Sequence, residues 1–481
     1  MTRPDATSDP STPARPPHSD AAAALPLSTR DGLAPIAVPG GHAGALVGGD
    51  LATVIRRVAI PAVASNLLMT LFASVDAYWV GMHVGALGLA AVSTAIFWIW
   101  MAVSVAEMVG IGLTAVAARR HGERRPEEAA RTAGDAIVLA VVLGLAVAVV
   151  GELAVDRLFA IMHTSPEVTA LGRTYLRTYL LGAPLMFGYF AVDAAFRASG
   201  NTRTPFVLLA ISVAVTLVLD PVLILGLWGA PPLGVAGAAV ATVATRSVAC
   251  VLGVTLLMRR GLVRFGRPRG AAIASIVRIG LPTAATGVFF SFVYVFLTRT
   301  TTQFGTPALA ALGLGHRIES WVYMIALGFG ATAAAVVGQN LGAGRVDRAT
   351  RAGWVSVGYG SIPGLALAAT MLLAPEAVAG WFTADAAVIA ETARYLRIAS
   401  VSMLVLCSEV VLEGALGGAG ATVAPMVVSM SLTAARLPLA VLLSAHWGAA
   451  GLWWAISATA AARGVAMAVL WRSGRWKRNK V

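Results

Sequence analysis

Two aspartates, Asp76 and Asp220, lie inside long apolar segments of this 481-residue chain. A charged side chain near the centre of a bilayer costs on the order of 3 kcal/mol or more, so each of them needs a partner, water or a function. Two carboxylates in one low-dielectric pocket cannot easily both be ionised. Such a pair is suited to bind a proton or a sodium ion and to release it when the pocket changes.

The spacing along the chain predicts that the two aspartates lie at the same depth. Arg57 and Arg203 each stand at the start of a segment that is predicted to enter from the cytoplasm. Asp76 is nineteen positions beyond Arg57, and Asp220 is seventeen positions beyond Arg203. At a rise of about 1.5 Å per residue, both carboxylates are about 25–29 Å from that end. We therefore expect the two side chains to meet.

Two threonines could complete this ion-coupling site. Thr216 is one helical turn before Asp220 on the same face, and Thr242 lies on the following segment at a similar predicted height. Their hydroxyl groups can donate hydrogen bonds or act as oxygen ligands. If the ion is sodium, Asp76 and Asp220 are its metal ligands. The alternative is that both aspartates are structural and pair with backbone groups or an arginine.

Three further acids are candidates for gating or for a substrate cavity: Asp193, Glu319 and Glu413. Asp193 has Arg197 one turn later, so an ion pair near the end of the span competes with a gating role. Glu319 follows Arg317 and could either serve cationic substrates or pair with a neighbouring arginine. Glu413 occupies the position equivalent to Asp193 in the internal repeat set out below.

The elements that must position these residues are membrane-spanning helices. With 58% hydrophobic and 12% charged residues, the chain holds too little polar surface to coat a water-soluble globule. The apolar runs are continuous rather than alternating, which excludes a membrane β-barrel. Twelve spans are predicted near 58–82, 90–118, 133–158, 172–198, 204–226, 233–258, 277–303, 308–338, 352–382, 388–416, 424–445 and 448–471.

Basic residues predict the orientation and the domain boundaries. Arginines and lysines cluster in alternate loops, whereas Met82–Gly88, Trp228–Leu233 and His446–Gly448 contain none. This alternation predicts that both termini lie in the cytoplasm. We expect the protein to lie in the inner membrane of the cell. We predict a disordered cytoplasmic tail (1–50), an N-lobe of six spans (51–258), a basic cytoplasmic linker (259–276), a C-lobe of six spans (277–471) and a basic cytoplasmic tail (472–481).

The two halves are related by an internal repeat at an offset of 220 residues. Tyr175-Leu176-Arg177 recurs as Tyr395-Leu396-Arg397, and the loops that begin at Gly122 and Gly200 recur at Gly342 and Gly420. Each half has an even number of spans, so the halves form two parallel bundles around a central cavity. The same offset maps Asp76 to Phe296 and Asp220 to Ala440, so only the first half carries the acid pair.

Several classes of function are unsupported by the sequence. It contains no G-x-x-x-x-G-K-[ST] phosphate loop, no H-E-x-x-H or G-x-S-x-G motif and no cysteine–histidine metal spacing. The net charge of +13 comes from short clusters beside apolar segments, which favours a bilayer over a nucleic-acid partner. We therefore expect neither an enzyme nor a cofactor, and a monomer whose partners are lipid and a small organic molecule.

Four motifs in order resemble the multidrug and toxic compound extrusion (MATE) family. They are Ile60-Pro61-Ala62 continuing through Ser74-Val75-Asp76 to Val80-Gly81, Leu219-Asp220-Pro221, Pro232-Leu233-Gly234-Val235-Ala236-Gly237, and Val337-Gly338-Gln339-Asn340-Leu341-Gly342-Ala343-Gly344. The resemblance covers about residues 55–471.

The resemblance implies an all-α integral membrane antiporter, driven by H⁺ or Na⁺, that exports amphiphilic and often cationic compounds by alternating access. It also implies a cation site in the N-lobe at Asp76 and Asp220, with Thr242 matching the family's threonine. Thr216 stands where the family often has Asn. Two alternatives remain open: a lipid-linked oligosaccharide flippase of the same superfamily, and a membrane receptor or scaffold without transport.

Overall fold

The structure, a computed structural model, describes residues 46–161 and 165–479, and these ranges contain fourteen α-helices and no β-strand. Two short 3₁₀ segments, Leu227–Gly229 and Arg475–Arg478, complete the regular structure. The helices are α1 (Leu51–His83), α2 (Gly85–Gly122), α3 (Pro126–Ile161), α4 (Pro166–Leu181), α5 (Ala183–Ala198), α6 (Arg203–Leu225), α7 (Val235–Arg259), α8 (Gly270–Thr302), α9 (Thr306–Gly342), α10 (Val346–Leu373), α11 (Pro375–Gly380), α12 (Ala386–Gly418), α13 (Val423–Trp447) and α14 (Ala449–Arg472).

The prediction of an all-helical membrane fold is confirmed. Eleven of the described helices are long and apolar enough to cross a bilayer, and the bent pair α4 and α5 brings the number to twelve if it counts as one span. Helices α1–α7 form the N-lobe and α8–α14 form the C-lobe. Each lobe is one copy of the predicted repeat.

The fourth span is bent rather than continuous. Helices α4 and α5 meet at an angle of 54°, with Gly182 between them and Pro184 in the first turn of α5. A side chain at Gly182 would collide with Val243 of α7. The break therefore lets α7 approach the fourth span, and the proline starts a new helix there because it lacks an N–H.

The ninth predicted span also ends early. Helix α10 stops at Leu373, and the short helix α11 begins at Pro375, so the predicted continuous run to 382 was wrong. Proline at the first helical position favours a new helix over continuation of the old one.

The lobes approach most closely at the end of the bundle that carries the basic loops, which we call the basic end. A side chain at Gly112 of α2 would collide with the carbonyl of Ile276 in α8, and one at Gly280 would collide with the carbonyl of Met108. Glycine permits this close packing of one helix backbone against another. Gln339 Nε2 also donates a hydrogen bond of 2.7 Å to the carbonyl of Ala198 across the lobes.

Two predicted boundaries at the basic end need correction. Leu46 is fully buried and its carbonyl accepts a hydrogen bond of 3.1 Å from Asn340 Nδ2, so ordered chain begins before residue 51. Most of the predicted tail, residues 1–45, lies outside the described residues. Helix α8 begins at Gly270, which shortens the predicted linker of 259–276. In the C-terminal tail, Trp476 stacks on Trp471 with ring centroids 4.0 Å apart.

Candidate functional site

Asp76 of α1 and Asp220 of α6 lie together inside the N-lobe. Asp76 is 8% exposed and Asp220 is 0% exposed, and the two carboxylates interact electrostatically. Among the described residues, Oδ1 of Asp76 and both carboxylate oxygens of Asp220 have no hydrogen-bond partner. Buried polar atoms are nearly always paired, so three unpaired carboxylate oxygens at one place indicate a site that takes up a proton or a cation.

The local sequence of α6 adds a possible ligand beside Asp220. Pro221 lies inside this helix. Because proline has no N–H, the carbonyl of Leu217 loses the hydrogen bond that an α-helix would give it. The helix then ends at Leu225, and Gly226 adopts a left-handed conformation with φ of 76°. A backbone oxygen one turn below Asp220 is therefore available as an acceptor.

The two predicted threonines are buried inside the N-lobe. Thr216 Oγ1 donates to the carbonyl of Ser212 at 2.7 Å and lies 2.7 Å from Thr245 Oγ1 of α7. Thr242 lies on α7 and is 9% exposed. The contact between Thr216 and Thr245 sets the relative height of α6 and α7, and the ligand roles of Thr216 and Thr242 stay predictions.

A tyrosine that sequence reasoning did not connect with the site faces both acids. Tyr175 of α4 is 6% exposed and interacts electrostatically with Asp76 and with Asp220. Its hydroxyl group can donate to a carboxylate or bind a cation through its oxygen. The sequence offered a signal, because Tyr175 and its repeat equivalent Tyr395 are the same residue in both halves.

A buried arginine completes the polar interior of the N-lobe. Arg246 of α7 is 7% exposed, and its Nη2 atom lies 2.7 Å from the sulfur of Met69. Its guanidinium carbon is 6.0 Å from the ring centroid of Phe72 and 5.8 Å from that of Tyr189.

The candidate acids of the C-lobe are held by partners. Glu319 of α9 accepts a hydrogen bond of 2.9 Å from the hydroxyl of Tyr395 and interacts electrostatically with Arg436. Arg436 in turn donates from Nε to Thr459 Oγ1 at 2.8 Å. We expected Glu319 either to serve cationic substrates or to pair with a neighbouring arginine. In the structure its hydrogen-bond partner is a tyrosine, and an arginine lies nearby.

Asp193 and Glu413 differ although they are equivalent in the repeat. Asp193 forms an ion pair with Arg197, as its spacing predicted. The position equivalent to Arg197 is Gly417, so Glu413 has no arginine one turn later. Glu413 instead interacts electrostatically with Glu409 and Arg463.

Acids of both lobes converge on one residue of α9. Tyr323 interacts electrostatically with Glu107 of α2 and with Glu409 and Glu413 of α12. Glu107 belongs to the N-lobe and the other two to the C-lobe, so this acidic group lies between the lobes. Its place and charge are suited to a positively charged molecule.

The described residues contain no group of three or more His, Cys, Asp or Glu side chains that could hold a metal ion. A sodium ion between Asp76 and Asp220 would therefore need hydroxyl or backbone oxygens as further ligands. Hard cations prefer such oxygen ligands. The threonines, Tyr175 and the Leu217 carbonyl are the nearest sources that the geometry offers.

Comparisons with known proteins agree with this architecture. The family model for MatE matches residues 61–222 and 282–442, once in each lobe. The chain is 27% identical over 441 residues to a probable multidrug resistance protein NorM of Thermotoga maritima, covering 88% of this chain and 93% of that one. It is 24% identical over 428 residues to a FAD transporter of Shewanella oneidensis, covering 88% and 94%.

Solved structures show the same fold. An outward-facing multidrug resistance MATE family transporter of the MOP superfamily superposes with a TM-score of 0.84 at 23% identity, over 91% of this chain and 99% of that one. A MOP superfamily transporter from Pyrococcus furiosus, described as having a binding pocket of reversed polarity, also gives a TM-score of 0.84, at 22% identity over 91% and 99%.

Proposed function

Because the chain belongs to the MatE family of membrane transporters, we propose that it is a cation-coupled antiporter that exports small amphiphilic, often cationic organic compounds. The observation that carries this proposal is the pair of buried, unpaired carboxylates in one lobe only. Asp76 and Asp220 bind the coupling ion, H⁺ or Na⁺, and Thr216, Thr242 and Tyr175 support it. No resident cofactor takes part, since the ion is cargo.

The arrangement of the lobes gives the cycle its direction. The lobes are packed together at the basic end, which the charge distribution predicts to be cytoplasmic. In this state the ion enters from the opposite side and neutralises the acid pair. A rocking motion that opens the basic end then exposes the ion to the cytoplasm, where it is exchanged for substrate.

The substrate class is inferred from the acids between the lobes. Glu107, Glu409 and Glu413 interact electrostatically with Tyr323, and so does Arg463. Three acids against one guanidinium leave a net negative field beside the aromatic ring, which suits a cationic aromatic molecule. The basic residues of the C-lobe do not form a free positive surface, because Arg463 is paired with Glu409 and Arg436 lies near Glu319. This favours an exporter of cations over a flippase of anionic lipid-linked sugars.

Ion coupling supplies enough free energy for export. One elementary charge that crosses 100 mV releases about 2.3 kcal/mol, and a tenfold ion gradient adds about 1.4 kcal/mol. Together they support a substrate gradient of roughly a few hundredfold per ion. We place the protein in the inner membrane as a monomer with both termini in the cytoplasm, and with one lobe formed by α1–α7 and the other by α8–α14.

The proposal is tested by efflux of ethidium from cells or reconstituted vesicles, with the proton and sodium gradients collapsed separately. We expect uphill efflux that stops when one of the two gradients is removed. Asp76→Asn and Asp220→Asn should each abolish it, while Asp347→Asn, at an exposed acid of α10, serves as the control for expression and insertion. Uphill efflux by the double Asn variant would refute the site. Wild-type efflux that persists with both gradients collapsed would refute cation coupling, and absence of any wild-type efflux would favour the flippase or the receptor.

A further inference from the structure

Arg246 is a buried cation that has no carboxylate partner among the residues described by the structure. Its electrostatic partners are the phenol groups of Tyr179 and Tyr189, and its closest polar contact is the sulfur of Met69. A thioether is a weak hydrogen-bond acceptor, and two aromatic rings stabilise a positive charge less than a carboxylate would. A guanidinium inside a membrane protein is costly to keep in this position, so its retention calls for a function.

Two separate contacts place Arg246 about one turn from the acid pair along the helix axes, on the side of the basic end. Phe72, which faces the guanidinium, is one turn before Asp76 in α1. In α6, Thr216 is one turn before Asp220 and touches Thr245, the neighbour of Arg246 in α7. One turn is about 5.4 Å. A change of rotamer in the long arginine side chain can shift the guanidinium along the helix axis, towards the acid pair.

The N-lobe thus holds two negative groups and one positive group that are close but not paired. The ionisable side chains that interact with the acids are each other and Tyr175, and those that interact with Arg246 are Tyr179 and Tyr189. With a cation on the aspartates, a guanidinium nearby is repelled and rests on its aromatic neighbours. Without that cation, two buried carboxylates face an unpaired guanidinium one turn away.

We propose that Arg246 is an internal counter-ion that moves up to Asp220 when the coupling cation leaves. The guanidinium then replaces the departed cation, so the ion-free, substrate-loaded protein can reorient without bare carboxylates in its interior. When the next cation binds, it displaces the guanidinium to Phe72 and Tyr189. Arg246 is a positioning residue in this cycle, and it contacts neither the exported substrate nor the path that the substrate takes.

This inference rests on the proposed cation site, and it makes a prediction opposite to that for the aspartates. Removing the guanidinium deletes a competitor for the carboxylates, so the coupling cation should bind more tightly while turnover slows. A nearby like charge typically changes cation binding at a carboxylate by about tenfold or more. A merely structural arginine would give weaker binding or no change.

The experiment uses the full-length protein in vesicles and measures ethidium efflux against external pH and, separately, against external Na⁺. For Arg246→Gln we expect the half-maximal cation concentration to fall by about tenfold or more and the maximal rate to fall as well. Arg246→Lys retains a positive charge and should restore part of the rate with near wild-type cation affinity. In detergent, the cation concentration that gives half-maximal thermal stabilisation should fall in parallel for Arg246→Gln.

Arg463→Gln is the control for loss of a buried guanidinium in the other lobe. It is compared by cation-dependent thermal stabilisation relative to its own cation-free protein, because its partner Glu409 belongs to the proposed substrate site. It should not tighten cation binding. The proposal is overturned if Arg246→Gln leaves cation affinity unchanged or weaker while the protein folds, or if it selectively abolishes transport of anionic compounds. If Asp220→Asn retains coupled transport, the cation site itself is wrong, and this result is distinct from a failure of Arg246 alone.

Discussion

The N-lobe and the C-lobe both bury ionisable side chains, but they balance their charges in different ways. In the C-lobe, Glu409 pairs with Arg463 at 3.3 Å, and Glu319 accepts a hydrogen bond from Tyr395. In the N-lobe, the unpaired carboxylate oxygens of Asp76 and Asp220 lie one turn from a guanidinium that rests on aromatic rings. Glu409 and Glu319 of the C-lobe therefore have fixed partners, whereas Asp76 and Asp220 of the N-lobe can change partners.

Equivalent positions of the two repeats show which residues account for this difference. Tyr175 and Tyr395 are equivalent, and both face a carboxylate. At two other pairs of equivalent positions the chemistry diverges: Thr216 corresponds to Arg436, and Tyr189 corresponds to Glu409. Arginine and glutamate at these C-lobe positions bring each charge close to an opposite one. Neutral residues at the N-lobe positions leave the acids available to an ion.

The contrast between the lobes is tested most strongly by placing a carboxylate at the C-lobe position equivalent to Asp220. Ala440 is fully buried. For Ala440→Asp we expect a desolvation cost on the order of 3 kcal/mol or more, plus about 1–3 kcal/mol for overpacking. The variant should fail to accumulate as folded protein, as measured by fluorescence-detected gel filtration.

Ala440→Asn separates charge from size in this experiment, because it adds nearly the same volume without ionisation. It should lose less folded protein than the aspartate variant. Normal accumulation of Ala440→Asp, together with a second cation-binding event, would mean that either lobe can host the ion and that the N-lobe is not specialised.

The fixed character of the C-lobe pairs is tested by removing one partner. Arg463→Gln leaves Glu409 buried without its partner, which typically costs about 3–5 kcal/mol. We expect a clear fall in the thermal unfolding temperature in detergent. The double variant Glu409→Leu/Arg463→Met should recover most of this loss, because replacing a whole buried pair by apolar residues is often neutral.

An unchanged unfolding temperature for Arg463→Gln would contradict the contrast between the lobes. It would show that Glu409 can remain buried without a base, as Asp76 and Asp220 do. The same result would also weaken the use of Arg463→Gln as a control for Arg246.

The helical architecture and the acid pair were predictable because their signals are local. A run of apolar residues must satisfy its backbone hydrogen bonds within itself, so spans can be read from composition. Counting residues along two such helices gave the shared depth of Asp76 and Asp220. The break at Gly182 could also have been found, since a glycine two positions before Pro184 is a common sign of a helix boundary.

Other features depend on which faces of the helices meet, and the sequence does not contain that information in local form. Arg246 and Phe72 are far apart in sequence, and only the packing of α1 against α7 brings them together. The burial of Leu46 depends in the same way on Asn340 and on Gly200 from different parts of the chain. The resemblance to a family supplied candidate ligands but said nothing of this arginine.

The smallest effect in the comparison is expected at Thr216, whose C-lobe equivalent is Arg436. Thr216→Val keeps the shape of the side chain but removes the hydrogen bonds to Ser212 and Thr245. A buried hydrogen bond of this kind contributes about 1 kcal/mol, so we expect a small loss of thermal stability. If the hydroxyl only supports the site from the turn below, the half-maximal cation concentration in efflux should rise by less than about threefold, since direct loss of a ligand typically costs more. A rise of tenfold or more would instead make Thr216 a direct ligand and would show that the N-lobe site extends a full turn toward Arg246.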